Sequence, residues 1–93
     1  MTNKTQVKVV ISGKVQGVFY RVHTKHAADG LGIKGYVKNL ANGSVEAVFE
    51  GDQPVVDQMI DWCHKGPEMS RVDHVQTQEI KPLTCFKIFE IKY

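Results

Sequence analysis

The residues best suited to chemistry lie in a glycine-containing segment, Gly13-Lys14-Val15-Gln16-Gly17, after which a helix is predicted from about Arg21. Two glycines four residues apart allow the backbone to turn so that successive N–H groups point inward. Because the segment leads into a helix N-terminus, these groups and the helix dipole together can bind an anion. Arg21 adds a planar guanidinium that can contact two oxygens of a phosphate or a carboxylate.

The same spacing has a second interpretation, in which the glycines merely form a tight connection between two elements. The segment is not the nucleotide-binding Walker loop, because no Gly-Lys-Ser/Thr follows it. Spacing alone therefore leaves anion binding and a simple connection as alternatives.

Charge is distributed unevenly along the chain. The formal net charge is +2, from 12 Lys and Arg against 10 Asp and Glu. Residues 1–40 contain seven Lys or Arg and a single Asp29, whereas residues 41–93 contain five Lys or Arg and nine acidic residues. This asymmetry predicts that a surface for anions is built by the first forty residues.

The periodicity of apolar residues predicts the elements that must position this segment. Val7, Val9 and Ile11 alternate with more polar positions as a strand does, whereas the residues around Met59 recur at helical steps of three and four. Asn42-Gly43 is a strong hairpin signal. The predicted elements are strands at 7–12, 36–40, 45–50, 72–80 and 86–93, a helix from about 21 that Gly32 ends, and a helix that Asp52 caps and Gly66-Pro67 ends.

The order strand, helix, strand, strand, helix, strand, with an extra C-terminal strand, predicts an α+β fold of the ferredoxin-like type. Such chains form a mainly antiparallel sheet with two helices on one face. With 93 residues, we expect a single domain over residues 1–93, in which the polar residues 1–5 are frayed.

Two segments resemble the signatures of a known family. Ile11-Ser12-Gly13-Lys14-Val15-Gln16-Gly17-Val18-Phe19-Tyr20-Arg21 closely resembles the first signature of the acylphosphatase family. Gly35-Tyr36-Val37-Lys38-Asn39, followed by Gly43, Val45 and Gly51, resembles the second. Weaker similarity continues through Thr24, Ala28, Leu31-Gly32, Trp62 and Gly66-Pro67 to Phe86. The resemblance covers nearly the whole chain, and two signatures in the right order make it specific.

The resemblance implies a hydrolase that splits the carboxyl–phosphate bond of acyl phosphates into a carboxylate and inorganic phosphate, with no metal and no cofactor. It implies the ferredoxin-like fold, and it places the catalytic arginine at Arg21 and the catalytic asparagine at Asn39. The phosphate-binding residues then fall on Val15, Gln16, Gly17, Val18, Phe19, Tyr20 and Arg21.

The chemistry of these residues agrees with such roles. A carboxylate is a good leaving group, so that positioning and electrostatics are the main tasks. Asn39 can orient a water without titrating, because its carboxamide both donates and accepts. No Asp or Glu near the motifs suggests itself as a general base, and the hypothesis proposed for the family is that the substrate phosphate accepts the water proton.

Tyr20 departs from the family pattern, in which this position is usually Phe or Met. A buried hydroxyl needs a hydrogen-bond partner, because an unsatisfied one costs roughly 1–3 kcal/mol. Alternatively, the hydroxyl reaches water or the bound anion.

Three other interpretations compete with the hydrolase. His23, His26 and Asp29 share a helix face and could ligate a metal, but three ligands on one short helix rarely close a tetrahedral site. The RNA-recognition module has the same order of elements, yet residues 37–40 lack the aromatic residues of its signature. The third is a non-catalytic relic or an acylphosphatase-like module of a larger carbamoyl-transfer protein. The retention of Arg21 and Asn39 argues against the relic, and the short length of the chain argues against the module.

The remaining predictions concern the location, the thiols, the partners and the oligomeric state of the protein. No apolar run approaches the ~20 residues of a membrane span or the 7–15 of a signal-peptide core, which predicts a cytoplasmic protein. Cys63 and Cys85 lack metal or redox spacing, so we expect reduced thiols. The expected partners are a small acyl phosphate and inorganic phosphate, with no nucleic acid and no membrane, and we expect a monomer.

Overall fold

The computed structural model describes residues 3–93, which form two helices packed on one five-stranded sheet. The elements are β1 (Lys4–Lys14), α1 (Tyr20–Gly30), β2 (Lys34–Asn39), β3 (Val45–Asp52), α2 (Gln53–Lys65), β4 (Arg71–Glu79) and β5 (Phe89–Lys92). The predicted α+β ferredoxin-like fold is confirmed, with the predicted order of elements. In residues 3–93 neither helix has the length and apolar character that crossing a membrane requires.

The sheet has the strand order β4-β1-β3-β2-β5. β1 pairs antiparallel with β3 and β4, and β2 pairs antiparallel with β3. Only the pairing of β2 with β5 is parallel among the described strands, so the sheet is mainly antiparallel as predicted. β1 and β2 both neighbour the central β3, which brings the loop after β1 and the end of β2 to the same end of the sheet.

One face of the sheet packs against both helices. Strand residues at alternate positions point to this face, and the apolar stripes of the helices cover them. The core includes Val9, Ile11, Val37, Val45, Ala47, Phe49 and Phe89 from the strands, and Tyr20, Ala28, Val56, Met59 and Cys63 from the helices.

Element boundaries differ from the sequence prediction where distant residues decide them. β1 begins at Lys4 rather than Val7, because Lys4 and Thr5 pair with the last residues of β3. Of the expected frayed residues 1–5, residues 1 and 2 lie outside the described residues. Asp52 stands at the N-cap of α2 but its side chain makes no capping hydrogen bond. β5 begins at Phe89 rather than Phe86, since the backbone N–H of Phe86 donates to Glu50 instead of to a strand.

Candidate active site

The chain leaves β1 through an irregularity in the sheet. The pairing of β1 with β4 changes register between Ser12 and Gly13. Gly13 has φ +131°, and a Cβ at this position would collide with the backbone carbonyl of Arg71 on β4. Only glycine fits this close approach, because an L side chain is both strained and obstructed there. The bulge thus fixes the point at which the loop over residues 15–20 (the phosphate loop below) leaves the sheet.

The phosphate loop ends in an unusual start to α1. Phe19 occupies the N-cap position in the left-handed conformation (φ 61°, ψ 24°), although it is not a glycine. No side chain caps the helix, and its first turn contains no acidic residue. The first N–H groups of a helix have no partner within the helix, and they carry the positive end of its dipole. The start of α1 therefore offers hydrogen-bond donors to an external anion.

Gln16 ties the phosphate loop to the turn between β2 and β3. Its side-chain Nε2 donates to the carbonyl oxygens of Leu40 and Ser44, both at 2.8 Å. Leu40 directly follows Asn39, so these two bonds set the position of Asn39 relative to the loop. The sequence prediction assigned Gln16 a backbone role only, because nothing in the local pattern indicates which distant carbonyls its side chain contacts.

The guanidinium of Arg21 is held by the C-terminal residues of the described chain. Its Nη1 donates to the carbonyl oxygen of Lys92 at 3.0 Å, and its Cζ lies 4.9 Å from the centroid of the Tyr93 ring. A guanidinium has five N–H donors, so this bond leaves several for a ligand. Contact with the ring face adds a cation–π attraction.

A cavity of about 350 Å³ brings the predicted residues together. It is lined by Val15, Gly17, Phe19, Tyr20, Arg21, Val22, Asn39, Ile91 and Tyr93. The cavity thus contains both Arg21 and Asn39 with most of the phosphate loop. Gln16 and Val18 do not line it: Gln16 contacts the turn after β2, and Val18 packs against the core.

The structure shows which group the hydroxyl of Tyr20 bonds to. The side chain is buried, and its hydroxyl donates to the carbonyl oxygen of Cys63 on α2 at 2.9 Å. Burial raises the pKa of the Tyr20 hydroxyl, and burial also raises the pKa of the Cys63 thiol to about 12. Both groups are therefore neutral near pH 7. The hydroxyl points into the core, where it bonds to α2, and other atoms of Tyr20 line the cavity.

The residues of the alternative metal site do not converge. The carboxylate of Asp29 accepts a hydrogen bond from Lys25 Nζ at 2.8 Å, in an exposed pair on α1. Across residues 3–93, no three His, Cys, Asp or Glu side chains come close enough together to hold a metal ion. The interpretation of this helix face as solvated agrees with the structure.

The comparison with known proteins decides the family. The acylphosphatase family model matches residues 7–91, which is most of the chain and includes the phosphate loop and Asn39. The chain belongs to the acylphosphatase family. The predicted family and the predicted enzyme class, an acylphosphatase, are confirmed.

Individual acylphosphatases show how close this relationship is. The chain is 50% identical to an acylphosphatase from Rubrobacter xylanophilus over 87 residues, which cover 94% of this chain and 79% of the relative. The structure of an acylphosphatase from Coxiella burnetii matches with a TM-score of 0.92 at 36% identity, covering 97% of this chain and 94% of that one. The acylphosphatase from Bacillus subtilis matches with a TM-score of 0.93 at 29% identity, covering 96% and 99%.

Proposed function

We propose that this acylphosphatase binds the phosphoryl group of an acyl phosphate between the phosphate loop and Arg21, and that Asn39 orients the attacking water. The observation that carries the proposal is the cavity that Arg21, Asn39 and the phosphate loop line together. Among the side chains that line it within residues 3–93, only that of Arg21 is charged, and its charge suits an anionic substrate.

Binding of the phosphoryl oxygens is assigned to donors that are already in place. The uncapped start of α1 supplies backbone N–H groups and the positive end of the helix dipole. The guanidinium of Arg21 supplies further donors, and its bond to Lys92 holds it in one orientation. Donors that are fixed before the substrate arrives need no reorganisation during the reaction, which is the main source of electrostatic catalysis.

The chemical step is a displacement at phosphorus. The oxygen of a water held by the carboxamide of Asn39 forms a bond to phosphorus, while the bond from phosphorus to the carboxylate oxygen breaks. Among the described residues that line the cavity there is no Asp, Glu or His to serve as a general base. The water proton therefore passes to a phosphoryl oxygen, and the products are a carboxylate and inorganic phosphate.

We propose no nucleic-acid partner for the sheet. Tyr36 directly precedes residues 37–40, and it is the aromatic residue of β2 that a base could stack on, but its ring already has several partners. Its hydroxyl donates to Glu46 at 2.9 Å, the Phe86 ring packs edge-on against it, and Lys92 Nζ lies 4.2 Å from its centroid. A ring engaged in this way is poorly placed to stack on a base.

The expected monomer and cytoplasmic location are retained as parts of the proposal. The phosphate loop, Arg21 and Asn39 meet in one cavity of a single chain, which supports an active monomer. Cys63 and Cys85 are both free thiols, which suits a reducing compartment.

The test is hydrolysis of benzoyl phosphate by the purified Arg21→Ala and Asn39→Ala variants. We expect each to lower kcat/KM by at least ~100-fold, because removal of one preorganised donor from an oxyanion-type site costs about 10²–10³-fold. Thermal unfolding should show that both variants remain folded. Near-normal hydrolysis by either folded variant would contradict the role of that residue.

Matched controls are available outside the cavity. Arg71 is an exposed arginine on β4 that pairs with Asp73, and Asn3 is an exposed asparagine. Arg71→Ala and Asn3→Ala remove the same chemical groups, and we expect both to keep full activity.

A further inference from the structure

The carbonyl that holds Arg21 belongs to a weakly anchored part of the sheet. Nη1 of Arg21 donates to the carbonyl oxygen of Lys92, the last residue of β5, at 3.0 Å. β5 has four residues, lies at the edge of the sheet and pairs only with β2 among the described strands. The ends of such short edge strands open with free energies near zero. The position of this carbonyl, and with it that of the guanidinium, therefore depends on further contacts of Lys92.

These contacts lie on the face of the sheet that the helices leave uncovered. Val37 is fully buried in the core, so the side chains of Tyr36 and Lys38 on either side of it point to the other face. Lys92 pairs with Lys38, and its Nζ lies 4.2 Å from the centroid of the Tyr36 ring. An ammonium at this distance is attracted to the ring face. The side chain of Lys92 is thus held by Tyr36 while its backbone carbonyl accepts from Arg21.

The Tyr36 ring is itself held in place. Its hydroxyl donates to the carboxylate of Glu46 at 2.9 Å, and the Phe86 ring packs edge-on against it with 6.1 Å between the centroids. Burial and the bond to Glu46 raise the pKa of Tyr36 to about 12, so the hydroxyl keeps the proton that it donates. The same carboxylate lies 3.8 Å from Lys8 Nζ and 3.6 Å from Lys38 Nζ. The ring therefore offers a fixed surface to the ammonium.

We propose that Tyr36 and Lys92 are positioning residues for the reaction: the Tyr36 ring fixes Lys92, and the Lys92 carbonyl fixes the guanidinium of Arg21 for the phosphoryl group. Neither residue lines the cavity, so both act through Arg21. This inference rests on the proposed function, since it requires that Arg21 binds the phosphoryl group. It assigns a part in catalysis to side chains on the face of the sheet away from both helices.

The competing explanation is that Tyr36 only stabilises the sheet. A stabilising residue would affect hydrolysis whether or not Arg21 is present. A residue that acts by positioning Arg21 has no effect left once the guanidinium is removed, so the two changes are not additive. A double-mutant cycle with Arg21→Ala therefore separates the two explanations.

The experiment measures kcat/KM for benzoyl phosphate and the inhibition constant of inorganic phosphate. Tyr36→Leu removes the ring, and Lys92→Met removes the ammonium but keeps the backbone carbonyl. We expect each to lower kcat/KM and to weaken phosphate inhibition about fivefold. This is only part of the ~100-fold that a misplacement of 1 Å can cost, because the contact of Arg21 with the Tyr93 ring remains. Tyr36→Phe keeps the ring face, so both constants should stay within about twofold of the wild type.

The decisive comparison repeats Tyr36→Leu and Lys92→Met in the Arg21→Ala variant. We expect neither change to lower the residual kcat/KM further, because the group that they position is absent. Lys87→Met is the matched control for Lys92→Met, since Lys87 is also an exposed lysine. It should leave both constants unchanged.

Unchanged kinetics in both single variants, or a fivefold loss that persists in Arg21→Ala, would overturn the inference. A loss in Lys87→Met equal to that in Lys92→Met would also overturn it. If Tyr36→Leu does not fold, Lys92→Met decides alone, because it changes an exposed side chain. Near-normal hydrolysis by folded Arg21→Ala would instead overturn the proposed function itself.

Discussion

Two segments at opposite ends of the sheet contain the same unusual backbone conformation. In the phosphate loop and in residues 84–86 (the strap below), a non-glycine residue adopts the left-handed conformation: Phe19 with φ 61° and Cys85 with φ 64°. Within residues 3–93 these are the only two non-glycine residues with positive φ. A left-handed residue next to right-handed ones turns successive N–H groups to one side, which forms a concave site for an anion.

The two segments differ in where the anion comes from. In the strap, the N–H groups of Cys85 and Phe86 donate to the carboxylate of Glu50, both at 2.9 Å, and that of Thr84 donates to Gln6 Oε1 at 2.7 Å. Glu50 is only 7% exposed, so the strap is closed by the protein's own anion. The start of α1 has no side-chain cap. In the strap this conformation stabilises the fold, because Glu50 of the same chain accepts the hydrogen bonds. At the start of α1 no side chain accepts them, so the backbone N–H groups are available to a ligand.

The separation of the segments makes them independent. Glu50 pairs with Gln6 on β1, whereas the β3 residue Val45 pairs with Asn39 on β2. Five residues of extended strand span roughly 17 Å. A change in the strap should therefore alter stability, and a change in the phosphate loop should alter catalysis.

Within this comparison we expect the largest effect when the hydrogen bonds between Glu50 and the strap are weakened. Glu50→Gln replaces one carboxylate oxygen with an NH₂ group that cannot accept from the backbone. Because hydrogen bonds to charged groups contribute about 1.5–3 kcal/mol, we expect the free energy of unfolding in urea to fall by about 2 kcal/mol. Glu90→Gln, at an exposed position, is the control. Lost hydrolysis without lost stability would show that the two segments are not independent.

The next effect concerns Gln16, which acts through the position of Asn39. Gln16→Ala removes both hydrogen bonds to Leu40 and Ser44, so that the loop and Asn39 are no longer held together. Misplacement of a catalytic group by 1 Å can cost ~100-fold, and we expect a partial loss of about tenfold in kcat/KM. Gln76→Ala on β4 is the control. Unchanged kinetics in Gln16→Ala would show that the tether does not position Asn39.

The smallest effect is expected for the hydroxyl of Tyr20. Tyr20→Phe removes its bond to the Cys63 carbonyl and should lower the free energy of unfolding at pH 7 by about 1 kcal/mol. Burial raises the Tyr20 pKa above its ordinary value of 10.0, so the folded protein keeps this proton when the unfolded chain loses it. Wild-type stability therefore falls as the pH rises above about 10.

Tyr20→Phe should lack this part of the alkaline loss, whereas the parts that come from Cys63 and Tyr36, whose pKa values burial also raises, should remain. Urea unfolding at pH 7 and pH 10.5 measures both effects, with the fully exposed Tyr93→Phe as the control. An equally steep alkaline loss in Tyr20→Phe would refute the contribution of the buried hydroxyl.

The sequence predicts those features that depend on local pattern. The alternation from Val7 to Ile11 and the spacing around Met59 suffice for the order of elements. The resemblance of the two signatures suffices to select Arg21 and Asn39 as candidates, and the structure brings both to one cavity. The contacts that hold the site and the strap depend on residues far apart in the chain. Gln16 reaches a turn 24 residues away, Tyr20 reaches α2 43 residues away, and Glu50 reaches the strap 35 residues away. Sequence alone does not specify these pairings, because side chains of the same type elsewhere face solvent.

The most direct test of the account follows the backbone N–H groups themselves. In a titration of the ¹⁵N-labelled protein with inorganic phosphate, NMR shifts of individual amides report which groups bind the anion. We expect saturable shifts for residues in the stretch 15–21, no shifts for residues 84–86, and a loss of the loop shifts in Arg21→Ala. Shifts of equal size at both segments, or none in the phosphate loop, would contradict the claim that only the loop is open to an external phosphate.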